Sequence, residues 1–232
     1  MSLNVVMPYQ KYAAGGGVTW DEPFTSDNWT SSSGSNTIDT TNNKLIRDNN
    51  ATIWIEIPVS YPQMSSTDGK WVMTYGYERT SNGWASQTWF GMSTMSAQAY
   101  SDPSSGNQWL GIMSNDWETA GGMRMSMRAN NTGASEVNST GNTGLSTMDS
   151  IVYCKTVFDG AGSDKLKTYF FSDEAMETPL TIGSYNYRTL TSFPSGWDDS
   201  DRTYYMWCSG YSGYSSTNNI YPIKFYNGVT EI

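Results

Sequence analysis

Apolar residues recur along this chain at every second position, in short runs closed by turn-forming clusters. In residues 53–57 (Ile-Trp-Ile-Glu-Ile) three isoleucines share one face, Trp54 and Glu56 take the other, and Pro58 ends the run. Residues 123–128 alternate as cleanly, with Met123, Met125 and Met127 on one side and Arg124, Ser126 and Arg128 on the other. A period of two with one wet face is what an antiparallel sheet imposes, because successive side chains leave a strand on opposite sides. Further strands are expected at 70–79, 87–94, 108–114, 150–159, 165–172, 180–184, 202–211 and 220–229. Breakers such as Thr67-Asp68-Gly69, Ser81-Asn82-Gly83 and Asp159-Gly160-Ala161-Gly162 separate them. No long amphipathic helix is found and no self-similar repeat. The pattern predicts an all-β, antiparallel sandwich.

Residues 1–17 stand apart. They carry Val5, Val6, Met7, Tyr9, Lys11 and Tyr12 and end in Ala13-Ala14-Gly15-Gly16-Gly17, a hinge by composition. The expected organisation is an extended N-terminal arm over residues 1–17 and one sandwich domain over 18–232. The opening residues lack the apolar run of a secretory leader, and no stretch is long and apolar enough for a membrane-spanning helix.

Composition narrows the chemistry. Net charge is −9 with only thirteen basic residues, which are scattered, so a nucleic-acid partner is not expected. Charged residues make up 15% of the chain, leaving a surface polar mainly through hydroxyls and amides. Histidine is absent altogether. That removes the Ser-His-Asp triad, the Cys-His pair and the usual zinc ligands. Cys154 and Cys208 fall in separate strands and read as buried thiols; a disulfide would require those strands to be adjacent and facing.

Two end segments and one central pair carry a family likeness. Phe24-Thr25-Ser26-Asp27-Asn28-Trp29-Thr30 and Tyr221-Pro222-Ile223-Lys224-Phe225-Tyr226-Asn227-Gly228-Val229-Thr230 resemble the outer strands of a concanavalin A-like (lectin, laminin G-like) jelly roll. The runs 155–160 and 165–173 resemble its paired central strands, one of which bears a tyrosine before an acidic turn. The resemblance implies a jelly-roll sandwich whose first and last strands lie side by side. It also implies a choice among lectins, glycanases and non-catalytic surface modules.

Catalysis finds no support. The glycanases of this class bear carboxylates at alternating strand positions, which projects the acids onto one face, and glycoside cleavage needs two carboxyls about 5–10 Å apart. Glu56 has no acid two residues away, and a cleft with paired acids would show in the side-chain directions around Glu56, Glu78 and Glu118. No catalytic residue is assigned. The loop holding Asp198, Asp199 and Asp201 is the candidate for a structural calcium, since several carboxylates suit a cation that takes six to eight oxygens. The acidic residue that the family carries ahead of its last strand is replaced here by Tyr221-Pro222.

Aromatics are the remaining signal. Trp84, Trp89, Trp109 and Trp117 lie in a Ser-, Asn- and Gly-rich stretch, and Tyr205 and Trp207 in a second cluster. Such residues fill sandwich cores, anchor subunit interfaces, or stack on the C–H face of a sugar ring. The leading expectation is a non-catalytic virion structural module, a capsid decoration or appendage protein on a particle surface. Its partners would be copies of itself and a larger assembly. The alternative is a carbohydrate-binding, lectin-like module for attachment to surface glycans. A sandwich-fold glycanase ranks third.

Overall fold

The computed structural model describes residues 18–31, 36–47, 52–57, 65, 67–80, 87–93, 109–115, 123–130, 137–138, 144–145, 150–180, 187–192, 204–210 and 217–232. In chain order the strands are β1 (Trp20–Glu22), β2 (Thr30–Ser31), β3 (Thr37–Asp39), β4 (Lys44–Arg47), β5 (Ile53–Glu56), β6 (Lys70–Arg79), β7 (Gln87–Ser93), β8 (Trp109–Asn115), β9 (Met123–Asn130), β10 (Val137–Asn138), β11 (Gly144–Leu145), β12 (Val152–Asp159), β13 (Leu166–Phe171), β14 (Tyr187–Leu190), β15 (Tyr205–Gly210), β16 (Asn218–Ile220) and β17 (Ile223–Asn227). No helix occurs among the described residues.

The strands form two antiparallel sheets. One runs β14-β13-β12-β6-β16-β4-β3, with β17 also on β6 and β1 on β17, nine strands in all. The other runs β10-β9-β8-β7-β15-β5-β2, with β11 also on β9, eight in all. Burial alternates residue by residue along β12, β4 and β14, as the sequence periodicity requires. The inward sets meet between the sheets. Tyr75 of β6 packs on Phe90 of β7 with ring centroids 4.7 Å apart, and Trp71 lies between Phe158 and Phe225 at 5.4 Å from each. Met73, Met92 and Met206 join the same core. Register places positions 123, 125 and 127 of β9 in the set that includes Phe90 and Ile112.

The interior also carries charge. Arg47 and Arg79 are completely buried and flank Asn218 in register, and the Tyr77 hydroxyl donates to Asn218 Oδ1 at 2.6 Å. Burying guanidinium groups is costly unless hydrogen bonds replace water. Both residues sit at inward positions of their strands, so backbone parity, not charge, decides where they point.

β1 does lie against β17, pairing Trp20 with Phe225 and Glu22 with Ile223. The first strand precedes the segment 24–30, which is irregular: Phe24 is buried with φ 56° and its amide donates to Glu22 Oε1. β12 and β13 pair along their length, as expected for 155–160 and 165–173. Three further expectations are corrected. The run 220–229 is two strands, interrupted at Tyr221-Pro222 because proline has no N–H for the ladder. The edge strand after β13 is Tyr187–Leu190, while Leu180, the one described residue of 180–184, lies outside any strand. β1, β3 and β4 were not anticipated, because three or four residues are too few to display a period. The arm residues Val5, Val6, Met7, Tyr9, Lys11 and Tyr12 lie outside the described residues.

Candidate functional site

Phe90, Met92, Leu110, Met206 and Cys208 are all buried in the core. The residues between them on β7, β8 and β15 therefore belong to the outer face of the eight-stranded sheet. Register then draws a row across that face: Thr30, Trp54, Trp207, Gly91, Gly111, Arg128, Asn138. The row on one side of it is Glu56, Tyr205, Ser93, Trp109, Asn130, and the row on the other side contains Ser209, Trp89, Met113 and Ser126.

Four of the six aromatic candidates, Trp89, Trp109, Tyr205 and Trp207, thus occupy positions on one face. Trp84 and Trp117 lie outside the described residues. Trp54, not counted among the candidates, joins them; its opposition to the three isoleucines was the signal that places it. Trp54 and Tyr205 are half-buried. Trp207 is only 1% exposed although it stands outside the main core cluster, so its ring is covered on the outer side of its sheet.

Between Trp207 and Arg128 the row has no side chains. A Cβ on Gly91 would lie 2.1 Å from the Leu110 carbonyl oxygen, and one on Gly111 would lie 2.3 Å from that of Phe90. The two backbones approach too closely for any other residue. The result is a bare strip bordered by tryptophan on one side and by arginine and asparagine positions on the other. Trp207, Gly91 and Gly111 are all buried, so the accessible aromatics of this face are Trp54 and Tyr205.

Acid chemistry is not assembled by the described residues. Glu56 is on the outer face of the eight-stranded sheet and Glu78 on the outer face of the nine-stranded one, so they cannot flank one bond. Glu118 lies outside the described residues, as do Asp198, Asp199 and Asp201. Among the described residues no group of three or more metal-binding side chains comes together.

The outer face of the nine-stranded sheet is different in character. Lys155 stands over the Tyr169 ring at 5.4 Å and Lys167 over Tyr187 at 4.7 Å, a cation–π ladder across β12, β13 and β14. Partial burial lowers the Lys155 pKa. Lys167, paired with Asp164 at 2.7 Å, is raised by that bond.

No protein-family model matches the chain, and no curated protein matches it. Solved structures do. The CBM2 module of the evolved Dit of Lactobacillus casei BL23 phage J-1 superposes with a TM-score of 0.57 at 11% identity, covering 92% of this chain and 97% of that one. The Emp47p carbohydrate recognition domain gives 0.54 at 12% identity over 94% and 99% of the two chains. The exoplasmic/lumenal domain of VIP36, in its Ca2+/Man2-bound form, gives 0.52 at 13% identity over 91% and 88%. The fold is concanavalin A-like. Identities this low carry the concanavalin A-like architecture and nothing of its chemistry, so the functional reading rests on the faces described above.

Proposed function

We propose that this chain is a non-catalytic carbohydrate-binding module, and that the glycan lies on the outer face of the eight-stranded sheet. The observation that carries the reading is the partly exposed aromatic pair Trp54 and Tyr205, diagonal neighbours on the outer face of β5 and β15. Partly exposed aromatic rings suit the apolar face of a sugar, and the exposed Thr30 and Glu56 beside them suit its hydroxyls. Structures of like fold include a carbohydrate recognition domain and a mannoside complex, which supports the reading without carrying it. Asp198, Asp199 and Asp201 remain the candidates for a structural calcium.

The likeness to the CBM2 module of a phage Dit favours a setting on a virus particle. There the arm of residues 1–17 would join the sandwich to copies of itself or to a larger assembly, with attachment to surface glycans as the outcome. Assembly through protein–protein contact, without a glycan, is the second reading.

A broad glycan array, probed with and without calcium, tests the proposal. A specific glycan family should bind, and Trp54→Ala should weaken it by about tenfold, ~1.4 kcal/mol. Absence of any hit under both conditions would overturn the glycan reading and leave assembly in front.

A further inference from the structure

We propose a second saccharide site, on the opposite side of the sandwich, sized for a single pyranose ring and built around Gly76, Tyr153 and Tyr221. It shares no residue with the face assigned above and stands or falls separately.

The site begins with a slip in register. Ile220 pairs with Tyr77, whereas Lys224 pairs with Thr74. Residues 221–223 therefore face only Tyr75 and Gly76, one residue too many. This is a β-bulge, a device that re-aims side chains and recurs beside binding sites. Pro222 contributes no N–H, while the Tyr221 amide still donates to the Gly76 carbonyl at 3.0 Å. The bulge lays Tyr221 across Gly76: a Cβ there would meet Tyr221 Cβ at 2.9 Å and Ile151 Cγ2 at 3.1 Å. Glycine is required because the tyrosine occupies the space.

Tyr221 is then held in place. Its hydroxyl donates to Glu78 Oε2 at 2.6 Å, the same oxygen accepts from Asn219 Nδ2 at 2.6 Å, and the Lys44 ammonium lies 6.0 Å from the ring centroid. Burial and then the Glu78 bond push its pKa up, so the phenol keeps its proton and the contact persists. Tyr153, the register partner of Gly76 on β12, lines the same space. The two tyrosines, Gly76, Asn43, Glu174 and Lys224 border a cavity of about 220 Å³.

Two rigid turns form the rim. Asp39 accepts from the amides of Thr41 and Asn42 and from Asn42 Nδ2, which builds the turn that carries Asn43. Asp173 accepts from the amides of Glu177 and Thr178, which builds the turn that carries Met176. Asn43 has φ 52° and Met176 φ 55°, two of the three non-glycine residues with positive φ among those described, and both border this cavity. Asparagine tolerates that region; methionine is strained there, and strain of this kind gathers at binding sites.

The chemistry selects the ligand class. The rings of Tyr153 and Tyr221 suit an apolar ring face, and the amide and carboxylate groups at the rim require hydroxyl partners once water is displaced. A hydrocarbon would strip water from the Asn43 amide and the Glu174 carboxylate without replacing its hydrogen bonds. The volume falls below the about 300–1,000 Å³ of sites that engulf larger ligands, so one ring enters. A site this rigid loses little entropy on binding.

The test uses the full chain labelled with nitrogen-15, titrated separately with the methyl glycosides of mannose, glucose and galactose and with N-acetylglucosamine. At least one should move the amide signals of Gly76, Asn43 and Met176 saturably, with millimolar affinity. Tyr153→Ala should weaken that binding by about tenfold. Because Tyr153 also packs on the sheet, Glu174→Gln, on an exposed turn, supplies a variant that leaves the fold intact and should weaken it as well. No saturable shift at these amides with any of the four sugars would overturn the site. So would shifts confined to Gly91, Gly111 and Trp207, which would report the other face alone, and so would full affinity in both variants.

Discussion

At the scale of single residues, the interior is sharper than its hydrophobic pattern. Cys154 is the register partner of Tyr75 on β6, and Cys208 faces Phe90 and Ile53 from the other sheet. Both thiols are buried and free. Burial raises both; Cys208 is pushed up to about 12 from an ordinary 9.0, with Arg47 partly opposing the shift. Unfolded thiols ionise near pH 9 while the folded ones hold their protons. The thiols' contribution is therefore fully present below pH 9 and falls as pH rises toward 12. Each should cost on the order of 1.4 kcal/mol per pH unit in that window. Denaturant titrations at rising pH should show the decline, and Cys208→Ala should make it shallower. Alkylation of the native protein at neutral pH should be negligible; rapid labelling would mean the sheets are not packed as described. Alternation was enough to place Cys154, Ile53 and Ile57 inside. It failed at Arg47 and Arg79, where a charged side chain at an inward position reads as a solvated strand end. Their partner Asn218 comes from far along the chain, and no local pattern announces it.

At the scale of elements, the central event is the meeting of β7 and β8 at Gly91 and Gly111. A strand normally loses stability with each interior glycine. Here a methyl group at either position would collide with a backbone oxygen that cannot move aside. Gly91→Ala and Gly111→Ala should each destabilise the fold by about 1–3 kcal/mol, as overpacking does, seen as a lower urea midpoint at unchanged slope. A neutral alanine at both sites would show that the strands stand further apart. Both glycines lie inside runs whose alternation is legible, but nothing in either run tells that they face each other. That pairing is a fact of register between strands about twenty residues apart. The same holds for the bulge at 221–223. Pro222 signals an interruption, yet only the pairing of β16 and β17 with one β6 reveals the extra residue. The aromatic face was legible as a list of tryptophans and tyrosines; the row they form was not, because β5, β7, β8 and β15 are brought together out of chain order.

At the scale of the molecule, the sandwich closes through its own first and last strands. The closing contacts begin at Thr19, whose amide donates to the Phe225 carbonyl at 2.8 Å and whose Oγ1 accepts from the Asn227 amide at 2.9 Å. β1 then pairs with β17, so among the described residues the closing ladder starts from Thr19. A chain beginning at Val18 should therefore keep the stability of the full chain within about 0.5 kcal/mol, as changes away from packed contacts do, and should keep its glycan binding. The arm is a different matter. Val5, Val6, Met7, Tyr9 and Tyr12 cluster ahead of three glycines, and an apolar segment of this composition is suited to a partner surface. If the arm joins the chain to copies of itself or to a particle, sedimentation should show the full chain associating and the truncated chain as a monomer. Cross-links from Lys11 should then reach a second chain. If Lys11 links only to its own sandwich and both forms sediment alike, assembly is not the arm's role. Attachment to glycans would then be the one activity for which the two outer faces are built.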